Sequence, residues 1–317
     1  MRRYLVARLV QAGPILIGIT LAAFVVLANM PGGPLAAYRA DPSVRAEDLQ
    51  RLERQLGLDR PIYVRYLIWL GNFLRGDWGY SIVTQRPALD MIGERFINTV
   101  YLIAVALGLT LAVAIPVGAY SAVRQYSLFD YTATGLAFMG LSLPTFWLGL
   151  LVILLFNVAL RWLPAGGMFT IGAPFSLVDR VRYLVLPAAT LAVVSAGFYT
   201  RYLRAAVLEV LGQDFVRTAR AKGMAARRVM YRHVLKNAAL PFVTVVALHL
   251  PELFTGAVVV ETIFAWPGMG RLFWESALRI DYPVLMGIMT FTAMAVLGAN
   301  LLADLLYGCL DPRIRYG

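Results

Sequence analysis

The chain is poor in the residues that most chemistry needs. It has one cysteine, Cys309, which excludes a disulfide within the chain and a four-thiolate metal centre. Its two histidines, His233 and His249, leave little for metal binding or general-base work. No GxxxxGK[ST] phosphate loop, HExxH or GxSxG occurs, so neither ATP binding nor hydrolysis by this chain has support. Charge is scarce too. Only 15% of the 317 residues are charged and 60% are apolar, whereas about a quarter of a soluble domain is charged. Mean hydropathy is +0.69. These shortages exclude an ordinary cytosolic enzyme, a disordered chain and a secreted disulfide scaffold.

Long apolar runs are what the sequence does have. A spanning helix needs about 20 mostly apolar residues, because every backbone polar group must be satisfied inside the bilayer. Six segments qualify: roughly 9–28, 98–123, a stretch within 131–160, 183–200, about 237–260, and 282–303. Pro144 predicts a kink in the third. The fourth is the shortest, flanked by Arg182 and Arg201, and the fifth is interrupted by His249, Pro251 and Glu252. The basic start MRRYLVAR followed by an apolar run also fits a signal peptide. No small-x-small cleavage site follows, only ALANMPGG, so the first run reads as a signal anchor. The expected fold is an all-α polytopic membrane protein with six transmembrane helices.

Orientation follows from Lys and Arg in short loops. With the N-terminus inside, the inner segments hold 15 basic residues and the short outer loops 5. Both termini are therefore expected in the cytoplasm. Both lysines, Lys222 and Lys236, fall inside, as do Arg313 and Arg315 of the tail 308–317. The segment 30–97, between the N-terminal helix (1–29) and the second span, is then extracytoplasmic. It holds nine Arg and eight acidic residues, so it is nearly neutral. Leu49, Leu52 and Leu56 form one apolar stripe at helical spacing. IYVRYLIWLGNFLRG (62–76) reads as an amphipathic helix suited to the membrane surface. The segment reads mainly as a folded cap without chemistry.

The inner loop 201–240 differs. It carries nine basic and two acidic residues, a net of +7. Such charge suits lipid headgroups; nucleic-acid binding lacks an aromatic platform or groove-reading motif. Its spacing says more. QDFVRTARA is a short helix with small Ala219 and Ala221, Gly223 permits a left-handed turn, and MAARRVMYRHVLKNAAL continues as helix towards Pro241. A helix–glycine–helix elbow is a rigid knob able to transmit force from a soluble partner.

Here a resemblance becomes specific. DFVRTARAKGMAARRVMYRHVLKNAALP resembles the cytoplasmic coupling motif of type I ABC importer permeases, in the dipeptide/oligopeptide/nickel variant. MRRYLVARLVQAGPILIGIT, GLSLPTFWLGLLVILLF, GAVVVETIFAWPGMGRLF and LLADLLYGCLDPRIRYG agree, in order, over nearly the whole chain. The general motif begins Glu-Ala-Ala with an acidic residue before its glycine. Arg217-Thr218-Ala219 and Lys222 replace these here, as in the peptide-importer variant. The resemblance implies a permease domain over 94–307 in the cytoplasmic (inner) membrane. It implies a homologous second permease as heterodimer partner, two ATP-binding subunits that hold the ATP and Mg, and an extracytoplasmic substrate-binding protein. No cofactor is implied for this chain. Peptides are the expected cargo, with nickel chelates, glutathione or oligosaccharides as alternatives. A stand-alone secondary transporter would show paired midplane charges or an inverted repeat, and neither is apparent.

The candidate coupling residues are Asp214, Arg217, Ala219, Lys222 and Gly223. Lys222 is placed to meet acidic groups on an ATPase, and Asp214 suits the positive end of a helix dipole. Glu252 and His249 are candidates for the translocation path. Each also has a structural reading, Glu252 as a helix-to-helix bond or span end at Pro251, His249 as an interhelical hydrogen-bonder. Pro267, Gly268 and Gly270 predict a turn just after the fifth span, with Glu261 and Trp266 beside it.

Overall fold

The computed structural model describes residues 2–30, 33–35, 45–55 and 57–310. Leu56 of the apolar stripe and Arg313 and Arg315 of the tail lie outside these residues. Helices dominate; among the described residues the only β pairing is a single bridge between Tyr80 and Pro87. Four helices contain stretches long and apolar enough to cross a membrane: Val10–Ala28, Ala88–Val123, Leu177–Leu211 and Tyr282–Leu302. Two bent pairs, Leu128–Ser142 with Thr145–Ala159 and Ala226–Leu248 with Leu250–Ile263, bring the total to six if each is one span.

The chain divides into two compact units, Met1–Ile97 with Arg271–Gly298, and Asn98–Gly270 with Ala299–Gly317. In the first, helix α1 (Arg2–Ala28) precedes the short helices α2 (Ala46–Gln55) and α3 (Ile62–Leu74). Tyr66 turns the inner face of α3 onto α1, where its hydroxyl meets the Thr20 hydroxyl at 2.9 Å, both buried. Phe24 sits edge-on to Tyr66 and Tyr282, and Leu285 and Met286 complete the cluster. Tyr63, Leu67 and Leu74 of α3 stay exposed, so a second apolar face remains, as the surface-helix pattern requires. The buried Asp281 carboxylate accepts bonds from Ser81 Oγ (2.5 Å) and Ile82 N (3.0 Å). This ties the loop before residue 88 to the start of the last candidate span.

The second unit is built on long helices. Helix α4 (Ala88–Val123) enters it at Asn98, and α7 (Leu177–Leu211) crosses it. At 35 residues α7 is about 52 Å long, well beyond the roughly 30 Å hydrocarbon layer. It therefore carries Arg201 and Arg204 in one helix with the apolar run 183–200. Between α4 and α7 the third apolar stretch does more than kink. Helix α5 (Leu128–Ser142) stops, and α6 (Thr145–Ile153) restarts after a 102° bend. Pro144 bars the helical conformation to Leu143, which is extended at φ −80°, ψ 126°. Backbones approach closely where side chains are missing. A Cβ on Gly140 would come 3.1 Å from the Val193 carbonyl oxygen, and one on Gly197 would collide with that of Ala137. Small residues of this kind let membrane helices pack tightly.

Candidate coupling and translocation site

The elbow begins where α7 ends at Leu211. After Gly212 and Gln213 the chain forms α8 (Asp214–Ala221). Val216 and Ala219 face inward and are buried with Leu203 and Val207 of α7, and with Val229, Val234, Ala238 and Phe242. Phe215, Arg217 and Lys222 face outward. This division needs only two apolar residues three apart, which in a helix share a face. Asp214 lies in the first turn, where a carboxylate complements the helix dipole. It pairs loosely with Arg217 at 3.5 Å, and both side chains are largely exposed.

The turn is closed by backbone bonds. Lys222 is the cap residue, and Gly223 N–H donates to the Arg220 carbonyl at 2.9 Å. Met224 N–H donates to the Ala219 carbonyl at 3.3 Å. This is the Schellman arrangement, and it requires the left-handed conformation that Gly223 adopts at φ +75°. Met224 packs on the same core as Ala219, supplying the apolar contact that accompanies such a turn. Helix then resumes as α9 (Ala226–Val229), passes a π-turn at Met230–Val234 and continues as α10 (Leu235–Leu248). The structure thus brings Asp214, Arg217, Ala219, Lys222 and Gly223 onto one small elbow, with Ala219 inside and the charges outside.

Glu252 and His249 lie apart from the elbow, at the 43° bend between α10 and α11 (Leu250–Ile263). Pro251 stands at the opening of α11, where its missing N–H has no helical partner to lose. His249 Nδ1 lies 2.8 Å from Glu252 Oε2. The imidazole rests on Phe198 of α7, with centroids 4.3 Å apart, and beside Tyr199. The Glu252 side chain is 73% exposed in this single chain.

There are two further polar sites, one on Asp130, which the sequence did not single out, and one on Glu261, which it placed only beside a predicted turn. At the elbow end of α4, the Asp130 carboxylate is nearly buried and takes both nitrogens of a forked Arg204 contact, Nε and Nη2, each at 2.7 Å. It also accepts from Tyr126 N–H at 3.0 Å and from the Ser121 hydroxyl. Four donors satisfy a carboxylate that burial would otherwise make expensive. In the sequence Asp130 closes a loop and Arg204 is one loop cation among nine. The available signal was an acid in the first turn of an uncharged run, on the side where cations gather.

The second site explains the turn after α11. Glu261 is fully buried. It accepts from the Thr99 hydroxyl at 2.6 Å and from Gly270 N–H at 2.7 Å, while Met269 N–H donates to the Thr99 hydroxyl at 2.8 Å. Trp266 Nε1 donates to the Asn98 carbonyl and Asn98 Nδ2 to the Pro267 carbonyl. A Cβ on Gly268 would collide with the Glu261 carboxylate. The Pro-Gly-x-Gly spacing is thus the trace of a backbone wrapped around a buried acid.

A helical chain with four to six candidate spans also carries an elbow whose charged side chains point away from its core. The profile described as "binding-protein-dependent transport system inner membrane component" matches residues 114–316, and that of the family's N-terminal region matches 1–104. The chain belongs to this family. It is the permease component of an ABC importer, a multi-pass protein of the cytoplasmic membrane and not itself an enzyme. The oligopeptide transport system permease protein AppB of Bacillus subtilis is 44% identical over 317 residues, the whole of both chains. The dipeptide transport system permease protein DppB of Escherichia coli K12 is 37% identical, over 100% of this chain and 99% of its own. Among solved structures, an inward-facing MetNI methionine ABC transporter contains a chain with a TM-score of 0.59. That chain is 16% identical and matches over 71% of this chain and 98% of its own. An amino acid ABC transporter matches with a TM-score of 0.53 at 14% identity, over 71% and 95% of the two chains. These likenesses concern the fold.

Proposed function

We propose that this permease forms half of the path by which di- and oligopeptides enter the cell. The proposed topology is six spans with both termini cytoplasmic, which places the elbow on the ATPase side and the 30–97 segment outside. A homologous second permease completes the path, an extracytoplasmic binding protein delivers the peptide, and two ATPase subunits hold ATP and Mg. The cargo reading is supported by AppB and DppB, whose names specify oligopeptides and dipeptides and whose full lengths align.

The observation that carries the mechanism is the elbow itself. Its inner face is fixed into the α7 core by Val216 and Ala219, so a push on its outer face moves α7 as a lever. Arg217, Lys222 and Phe215 are the contacts offered to an ATPase; Gly223 sets the angle at which they are offered. Glu252 and His249, at the bend against Phe198, are proposed to line the path, where a carboxylate suits a peptide's amino terminus.

Gly223→Val tests this. No atom lies within 4 Å of an added Cβ, so the variant meets only backbone strain, about 1–2 kcal/mol for a left-handed residue. Lys222→Glu reverses an exposed charge. Both variants should reach the membrane at normal levels, yet peptide uptake and stimulated ATPase activity should fall sharply. Near-normal uptake in both would refute the coupling assignment.

A further inference from the structure

Two hollows meet at the elbow end of α4. One is a groove of about 590 Å³ whose walls, including Ile115, Tyr120, Phe129 and Tyr231, are apolar and aromatic. The other is a smaller cavity of about 270 Å³ whose lining includes Arg220 and Arg227 beside apolar Leu211, Val229 and Val234. Val123 and Met230 belong to both, so the two adjoin. Along α4 the groove extends from Val123 to Ile115, about 12 Å at helical rise. Arg124 follows at once, so the cationic cavity sits where the helix leaves its apolar layer and the groove runs inward from that boundary. Among the described residues no ion pair involves Arg220 or Arg227. The Arg227 guanidinium lies over the Tyr231 ring, 5.8 Å from its centroid.

A cation pair opening into an apolar trough matches an amphiphile with an anionic head. We propose that the two hollows bind one anionic phospholipid of the inner leaflet, its phosphate between Arg220 and Arg227 and an acyl chain in the groove beside Ile115–Val123. An acidic protein segment would satisfy the arginines but has nothing to fill the trough. The placement has a mechanical consequence. Arg220 belongs to α8, before the Gly223 turn, and Arg227 to the helix after it. One headgroup therefore bridges both arms of the elbow and braces it. The leaflet assignment rests on the proposed function, in which the elbow is cytoplasmic.

The full chain, purified in mild detergent and placed in phosphatidylcholine nanodiscs with graded phosphatidylglycerol, provides the test. Its thermal midpoint should rise with phosphatidylglycerol but not with soluble glycerol 3-phosphate. Arg220→Gln/Arg227→Gln should need at least about tenfold more of the lipid for the same rise. Arg228→Gln/Arg232→Gln removes the same charge from the same segment and should respond as wild type. Ala119→Trp, which fills the groove, should lose the response with both arginines present. Equal midpoints for all variants in pure phosphatidylcholine would establish that they fold. Equal weakening by both arginine pairs would overturn the proposal in favour of general surface charge. A full response from glycerol 3-phosphate, or an unaltered response in Ala119→Trp, would also overturn it. Neither ATPase nor transport enters the measurement, so this site and the coupling assignment fail or stand separately.

Discussion

Arg204 shows what a single residue can hide. On charge alone it adds to the inner-loop excess, but the helix carries it to a nearly buried Asp130 that it grips with two nitrogens. Breaking one partner of such a pair leaves an uncompensated buried charge and costs about 3–5 kcal/mol. Arg204→Met should therefore lower the thermal midpoint of the purified chain strongly. Asp130→Leu/Arg204→Met should recover much of the loss, since a well-packed apolar pair of similar volume is often neutral. Equal losses in the single and double variants would count against the pair as the cause. Glu252 is the opposite case. Its side chain is exposed in this chain and bonded locally to His249, so Glu252→Gln should leave folding and ATPase assembly intact while lowering peptide uptake. A variant that fails to insert or assemble would assign Glu252 a structural role instead. The proposed path residues were legible because a carboxylate among apolar residues stands out. Asp130 was missed, and Glu261 was read only as a neighbour of its turn, because each sits at an apparent span end, where a charge looks ordinary, and their partners are 74 and 162 residues away.

Elements were legible where a local rule sets them. The elbow was readable because its turn needs a left-handed residue and its faces need only helical spacing. The break in the third apolar stretch was readable as to place, from Pro144, but not as to size. A proline removes one hydrogen bond and one backbone basin; the 102° angle is set by what the two halves pack against. The length of α7 was underestimated for a related reason. Hydropathy ends where charges begin, whereas the helix continues as long as its inner face, here Tyr199, Leu203, Ala206 and Val207, stays covered, as it is by Val216, Val234, Ala238 and Phe242. Glycines in these helices look alike in sequence and differ in space. Gly197 is buried against the Ala137 carbonyl, while Gly135 has nothing within 4 Å of an added Cβ. Gly135→Ala should gain up to about 1 kcal/mol of helix propensity. Gly197→Ala should instead lose about 1–3 kcal/mol through overpacking that the two backbones cannot relieve. Thermal midpoints of opposite sign would support the α5–α7 contact, and equal gains would dismiss it.

At the scale of the whole molecule, composition carried most of the class assignment, because few chains outside a bilayer hold so little charge. The count of spans rests on two bent pairs, Leu128–Ala159 and Ala226–Ile263, each of which must act as one crossing for the proposed total of six. Orientation rests on the basic bias of 15 against 5. The Asp130–Arg204 pair neutralises one of those cations, too few to reverse the sign. Reporters fused at two exposed points decide the orientation and the first of these pairs together. Tyr80 stands in the polar connection between α3 and α4, and Ala225 just after the Gly223 turn. A reporter active only outside the cytoplasm should be active after Tyr80 and silent after Ala225. Between these points lie α4, the α5–α6 pair and α7, so an odd number of crossings must separate them. The expected pattern therefore requires the bent pair to count as one span. Identical readings at both points would mean that the pair re-enters from one side, leaving two crossings. Reversal at both would keep the span count but move the elbow outside, and with it any contact with an ATP-hydrolysing partner.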